Sequence, residues 1–443
     1  MPQRATTAER DWADTLAWQR SQLPDFIARL VDRSEFYADR LGGVAARDLA
    51  TPEAWAALPF TTKDDVRDSQ RHRRPEDPLL GALQGVADTD VAQVIGSSGT
   101  SGNPTFYGLT AADLASWQDA LRNWLHTAGV GPGSVVALTT GMPIVAGGMP
   151  YADAIRAAGA TLVWLGGQPT ERMAHLMAAL RVNTLIGTAS FVGHFARRCS
   201  ELLGRPAAEL GVRTILAGGE PGMANEETRA QVMAAWGATR LSEIMGMCDV
   251  MAGMWAQCDA GAGMHFTAAE HVYVELIDPD TGEAVEWREG ATGEGVYTTF
   301  TREATPVVRF RSRDHLKVIA TQCACGRTTP RVQCIGRTDD MLIYRAMNVF
   351  PNDIREVILD HAPAASIGGM RIRKSRADQV RFDDPIPVEV ETDTLDAAAL
   401  ERLADQVRQL LRVRVAIEAI PAGTIPVGNY KTALAYVAEG ADT

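Results

Sequence analysis

Along the middle of the chain, short runs of apolar and β-branched residues alternate with stretches whose apolar positions recur at helical spacing. Ser134 to Thr140 reads as a buried strand, Tyr151 to Ala158 as a helix and Thr161 to Leu165 as the next strand. The unit repeats with a helix over Thr170 to Leu180 and a strand over Thr184 to Thr188. It returns in the strand-like Thr214 to Leu216 and the helical run Glu226 to Trp236, which Asn225 is placed to cap. This alternation predicts an α/β fold with substantial parallel sheet. From Pro387 the rhythm changes: a Val-Glu-Val-Glu run, a helix over Asp396 to Leu411 and a strand over Val413 to Ile417 form a compact α+β pattern. At 443 residues the chain exceeds the size of a single core, so two or more domains are expected.

Composition removes function classes without naming one. A net charge of −12 and a pI near 5.2 give no general attraction for nucleic acid or anionic membranes, so any phosphate binding must be local. No apolar run reaches the ~18 residues that a membrane-spanning helix needs, and the polar start Met1 to Arg10 lacks a signal-peptide core. The expectation is a cytoplasmic enzyme with neither nucleic acid nor membrane as partner. Six cysteines are too few for a disulfide scaffold in so long a chain, and all but Cys199 cluster between Cys248 and Cys334.

Candidate chemistry begins at Val94 to Tyr107, where Ser97, Ser98, Gly99, Thr100, Ser101 and Gly102 follow a short apolar run. Small residues let backbone N–H groups approach anionic oxygens, and the hydroxyls add donors. The loop has no Gly-Lys-Ser/Thr ending, which argues against a P-loop NTPase. Taken alone, it reads equally as a polar surface loop. Cys258, His265, Cys323 and Cys325 form a set suited to a closed tetrahedral Zn²⁺ site, or else remain unbridged buried thiols.

The loop, together with Leu58 to Asp68, Ala217 to Pro221 and Gly336 to Ile343, resembles the phenylacetate-CoA ligase branch of the adenylate-forming enzymes, and the likeness runs from about Phe36 to Lys431. The resemblance implies a large N-terminal domain, residues 1–336, and a small mobile α+β C-terminal domain, residues 337–443, swinging at Asp339. It implies ATP, Mg²⁺ and coenzyme A, an aromatic or arylacetic acid as substrate, and a homodimer; some members of the branch carry a structural Zn²⁺. Lys431 is the expected adenylation lysine and Asp249 the carboxylate for Mg²⁺ or a hydroxyl. Gly218, Gly219, Glu220 and Pro221 are expected at the adenine, Asp314 at the ribose hydroxyls, and Arg337 at ribose or phosphate. The acid pocket is expected among Phe191, Met245, Gly246 and Met247, although a methionine stripe also suits plain core.

Departures from the family pattern accompany the likeness. Asn103 stands where lysine is usual, Met245 where tyrosine is, Cys248 where serine is, Asp249 where glutamate is, and Tyr430 where glycine precedes the adenylation lysine. The sequence leaves open a carrier-protein thiol as acceptor in place of coenzyme A. It also leaves open an ATP-independent acyltransferase using Cys248, and a ligand-binding relative that has lost adenylation.

Overall fold

The structure, a computed structural model, describes every residue except 1–9, 46–48, 50, 72, 98–103, 220–222, 346, 364–365, 377–378, 427–433 and 438–443; for Asp339 and Asn348 it describes the backbone alone. Its largest element is an 11-stranded sheet. One half is parallel and runs in the order Thr161–Trp164, Val135–Leu138, Thr184–Thr188, Thr214–Gly218, Arg240–Met247. This is the half that the strand-helix alternation predicts. Beyond Met247 the strands Met251–Gln257, Met264–Phe266, Arg331–Arg337, Phe310–Ala320, Thr292–Thr298 and Tyr273–Ile277 pair antiparallel.

The two-residue period of a strand sends successive side chains to opposite faces, and the parallel half buries both. Val136 and Leu138 pack into one core with Trp117, Trp124, Ile186, Leu216 and Ile244. Ala137 packs into a second core with Leu185, Ile215, Phe195, Met173 and Trp236. Helices Ala111–Thr127 and Met149–Ala157 cover the first face, and Thr170–Ala179, Ala189–Leu203 and Glu226–Trp236 the second. Asn225 caps the last of these, its side chain accepting from Thr228 N at 2.8 Å.

The C-terminal part has its own core, with Ile354, Ile358, Ile372, Val388, Val390, Leu403 and Val407 at its centre. A four-stranded sheet orders Val415–Ile420, Ile386–Glu391, Met370–Lys374 and Ala435–Val437, with helices Pro351–His361 and Ala397–Leu411 packed on each other. The strand expected over Val413–Ile417 begins two residues later and pairs parallel to Ile386–Glu391. Helix Pro351–His361 meets the large sheet through Phe350, whose ring lies 5.0 Å from that of His315, and through Asp360, which accepts from Asn225 Nδ2 at 2.7 Å. Among the described residues, no helix is long and apolar enough to cross a membrane.

Candidate active site

The parallel strands Thr184–Thr188, Thr214–Gly218 and Arg240–Met247 all end on one edge of the sheet, where open α/β sheets bind ligands. Glycine is required there. A Cβ on Gly218 would lie 1.9 Å from the Ile244 carbonyl oxygen, and one on Gly246 would lie 2.0 Å from that of Ala252. The strand end therefore presents bare backbone, as a flat aromatic base requires. Glu220 and Pro221 lie outside the described residues. A cavity of about 320 Å³ opens along the first half of the strand Arg240–Met247, between Met223, Ala224, Arg229, Leu241, Glu243 and Gln257, and reaches the segment from Cys258 to Gly263. Glu243 is only 8% exposed, and burial pushes its carboxyl up to about 7, with Arg229 holding it down and Glu356 adding to the rise. Sequence reasoning did not single out this carboxylate.

Two paired strands flank the Ser/Gly-rich loop. Gln93–Gly96 pairs antiparallel to Phe106–Leu109, and the neck is closed where Ser97 N donates to Thr105 O at 2.9 Å and Thr105 N to Ser97 Oγ at 3.0 Å. Ser97 is thus part of the closure, while Ser98, Gly99, Thr100, Ser101 and Gly102 lie outside the described residues.

Asp249 sits at this neck. It is buried, accepts from the Tyr107 hydroxyl at 2.6 Å and lies 3.3 Å from Lys63 Nζ. A buried carboxylate is tolerable only with such partners. Burial and the neighbouring Asp249 push the Tyr107 phenol well above its ordinary range, so it stays a donor. Beneath them Arg302, also buried, donates to the Asp249 carbonyl at 3.0 Å and lies over the rings of Tyr107 and Trp117. Lys63 falls within a motif visible in the sequence, whereas Tyr107 and Arg302 carry no local signal of their role.

Cys248 is a strut. Its thiol donates to Gly96 O at 2.9 Å and accepts from Ala146 N at 3.2 Å, tying the loop's strand to the segment around Ala146. A thiol held as a donor to a carbonyl is poorly placed to act as a thiolate nucleophile.

Asp314 and Arg337 are cross-strand partners on neighbouring strands and form an ion pair, with Arg337 also donating to Ser312 O at 3.2 Å. Arg311 and Arg313 keep the alternation of the strand Phe310–Ala320, both half-buried between buried neighbours, and Arg309, just before it, lies over the same Phe60 ring as Arg311; Arg309 and Arg313 adopt φ of 46° and 61°. Each guanidinium goes to a carboxylate: Arg309 to Glu275 at 3.2 Å, Arg311 Nε to Glu294 at 3.0 Å, and Arg313 to Asp64 at 3.5 Å. They brace the sheet rather than line a phosphate site.

Met245 and Met247 are half-buried on the strand beside Gly218 and pack against the first core, with Gly246 between them. Phe191, near the start of helix Ala189–Leu203, stacks on Phe195 with centroids 5.1 Å apart and packs against the second core, on the opposite face of the sheet from Met245 and Met247. Lys431 lies outside the described residues, and Asp339 is in the turn Thr338–Asp340 that follows the strand Arg331–Arg337.

The ligand atoms of Cys258, His265, Cys323 and Cys325 all lie within 4.8 Å of one another. Cys258 Sγ and Cys323 Sγ are 3.6 Å apart, and Cys325 Sγ is 3.4 Å from His265 Nε2. Metal–sulfur bonds of about 2.3 Å give a tetrahedron with an edge of about 3.8 Å, whereas a disulfide needs about 2.05 Å. His265 Nδ1 meets Thr329 O at 2.8 Å, which fixes the tautomer with Nε2 turned to the sulfurs. Burial pushes His265 down to about 4, so the imidazole is already in the neutral form that ligates a metal, and pushes Cys258 up to about 12, whereas at Cys325 burial is outweighed by hydrogen bonds, which hold the thiol below its ordinary value.

No protein-family model matches the chain. A phenylacetate-coenzyme A ligase from Thermus thermophilus is 32% identical over 348 residues, 77% of this chain and 75% of that protein. A crystal structure of 2-hydroxyisobutyryl-CoA ligase in the postadenylation state, in complex with R3-HIB-AMP, superposes with a TM-score of 0.86 at 22% identity, covering 99% of this chain and 94% of the other. The same enzyme in the thioesterification state gives 0.69 at 23% identity, covering 96% and 90%. The fold is that of an adenylate-forming enzyme. The chain belongs to the phenylacetate-CoA ligase family.

Proposed function

We propose that this protein joins an aromatic or arylacetic acid to coenzyme A at the expense of ATP, releasing AMP and pyrophosphate. The observation that carries this is family membership, at 32% identity to a phenylacetate-coenzyme A ligase over three quarters of the chain. Local geometry supports it. Gly218, which has no room for a Cβ, and Gly219, at φ 79°, suit the face of an adenine, and the buried Glu243, on the strand beside Ala217, offers an acceptor for its exocyclic amine. Asp314 is the acceptor for the ribose hydroxyls, with Arg337 already beside it. Met245 and Met247, half-buried against the first core at the end of their strand, offer an apolar wall for the acid, while Phe191 packs on the other face of the sheet.

Attack of a carboxylate on the α-phosphate brings anions together, so the first half-reaction needs cations where charge builds. Lys431 supplies one, and Mg²⁺ bound at Asp249 would neutralise phosphate charge. The part from residue 337 onward then swings at Asp339 so that the thiol of coenzyme A reaches the acyl-adenylate. Better superposition on a postadenylation-state enzyme than on a thioesterification-state one supports reading the present arrangement as the first pose.

Cys258, His265, Cys323 and Cys325 would hold a structural Zn²⁺; four protein ligands leave no open position, so the ion would tie the strands near Arg337 rather than take part in chemistry. The resemblance adds a homodimer and a cytoplasmic location to this reading.

The test is pyrophosphate release with ATP, Mg²⁺ and a panel of aryl, arylacetic and short aliphatic acids, with and without coenzyme A. Release that depends on an aryl acid, with thioester formed only when coenzyme A is present, is expected. Silence across the panel from folded protein overturns the reading.

A further inference from the structure

We propose that Asn225 and Asp360 form the clasp that holds the part from residue 337 onward in its present arrangement, which makes them positioning residues for acid activation. The inference rests on the functional reading above, in which this arrangement is the first pose, and deepens it. Asn225 Nδ2 donates to Asp360 Oδ1 at 2.7 Å, while Asn225 Oδ1 accepts from Thr228 N at 2.8 Å. Capping the helix Glu226–Trp236 uses the amide oxygen, so the amide nitrogen is left to face Asp360. An aspartate would cap that helix equally well but would bring no donor to the same spot.

Helix Pro351–His361 packs on the helix Glu226–Trp236 and on the strand Arg331–Arg337, and it is held at its two ends. At its start Phe350 presses on bare backbone: a Cβ on Gly336 would lie 2.5 Å from Phe350 Cδ1. Gly336 stands just before the turn Thr338–Asp340, so this contact lies close to the hinge and a swing there displaces it little. The clasp lies at the other end of the helix, about 15 Å further along. A swing displaces that end most, so the contact at Asp360 decides the angle.

Between the two ends the interface works against closure. Asp353, Glu356 and Asp360 fall on one helix face. Burial pushes Asp353 up to about 6, and it raises Glu356, with Asp360 adding to the rise. Glu356 in turn adds to the rise that burial causes in Glu243 on the large sheet. Carboxylates gathered in this way resist close packing, which leaves the directed bond at the end of the helix to hold it. Asn225 is buried and Asp360 exposed, so the bond can break by movement of the C-terminal part without unpacking either core.

Acid-dependent pyrophosphate release, thiolysis of supplied acyl-adenylate and Tm are measured in wild type, Asn225→Asp, Asp360→Ala and the swap Asn225→Asp/Asp360→Asn. Asn225→Asp keeps the cap but sets a carboxylate against Asp360, and is expected to slow pyrophosphate release about tenfold while thiolysis stays within about twofold of wild type or quickens. Asp360→Ala leaves the cap untouched and is expected to show the same split at about three- to tenfold. The swap restores one amide donor and one carboxylate acceptor in reverse order, and is expected to recover release to within about twofold of wild type. Release by the single variants at the wild-type rate overturns the proposal. Equal loss in both half-reactions, or a swap that recovers nothing, marks a structural role and overturns it too. If Asn225→Asp does not fold, Asp360→Ala decides by the same criterion. No release by folded wild type instead overturns the functional reading.

Discussion

Two clusters, the Cys/His knuckle and the neck of the Ser/Gly-rich loop, solve the same electrostatic problem in opposite ways. In the knuckle, Cys258, His265, Cys323 and Cys325 turn every ligand atom inward within 4.8 Å, and a bound cation would satisfy all of them. At the neck, Asp249 is matched by Tyr107 and Lys63, which come from other elements, and the arrangement stays open on the Lys63 side. A closed ligand set serves stability, because nothing else can reach the ion. An open pair retains a charge that can still be redirected to an incoming anion.

The variant with the largest expected effect lies on the catalytic side. Lys431→Ala should lower acid-dependent pyrophosphate release by more than about 10²-fold while sparing thiolysis of supplied acyl-adenylate, if, as proposed, the lysine serves only the first pose. Equal loss in both assays would sink that division. Asp249→Asn keeps shape but removes the charge that holds Lys63, and should cost roughly 10- to 100-fold in the same release assay with little change in Tm.

Metal removal should have the opposite profile. Dialysis against a chelator, or Cys323→Ser, should lower Tm by several degrees and leave thiolysis by the protein that remains folded nearly unchanged, since a structural ion contributes to folding rather than chemistry. A chelator that abolished turnover at constant Tm would reverse the roles assigned to the two clusters.

The smallest effect is a pH dependence of stability from Glu243. Its carboxyl is held near 7 in the folded protein, above the ordinary carboxylate range, because burial disfavours the charged form. The proton is therefore bound more tightly when folded. This contribution is fully present below about pH 4.5 and is lost as pH rises to about 7, with an upper bound of roughly 3 kcal/mol. Glu243→Gln should flatten the Tm profile between those limits relative to wild type, and ATP should flatten it in wild type alone. Identical slopes in both proteins would remove Glu243 from the adenine site.

How much of this could be read from the chain depended on distance along it. Parallel strands from Ser134 to Leu216 were legible because each strand and its crossover helix are neighbours in sequence, and the period of each element is written locally. The antiparallel half was not, since its partners lie far apart: Arg331 pairs with His265, and Phe310 with Tyr297 and the distant Thr61. The cysteine set was legible by residue type and spacing. Tyr107, Arg302 and Glu243 were not, because a buried tyrosine, arginine or glutamate has no motif; only its surroundings give it a role.

The sequence by itself determined the family, the strand-helix rhythm, and the residue types around which a metal and a nucleotide site could form. Tertiary structure alone decided how charges were allocated. It sent Arg309, Arg311 and Arg313 to Glu275, Glu294 and Asp64, joined Asp314 to Arg337, and brought Lys63 to Asp249. The physical reason is that the cost of a buried charge depends on what the fold places within a few ångströms of it, and that distance is not recorded in the order of residues.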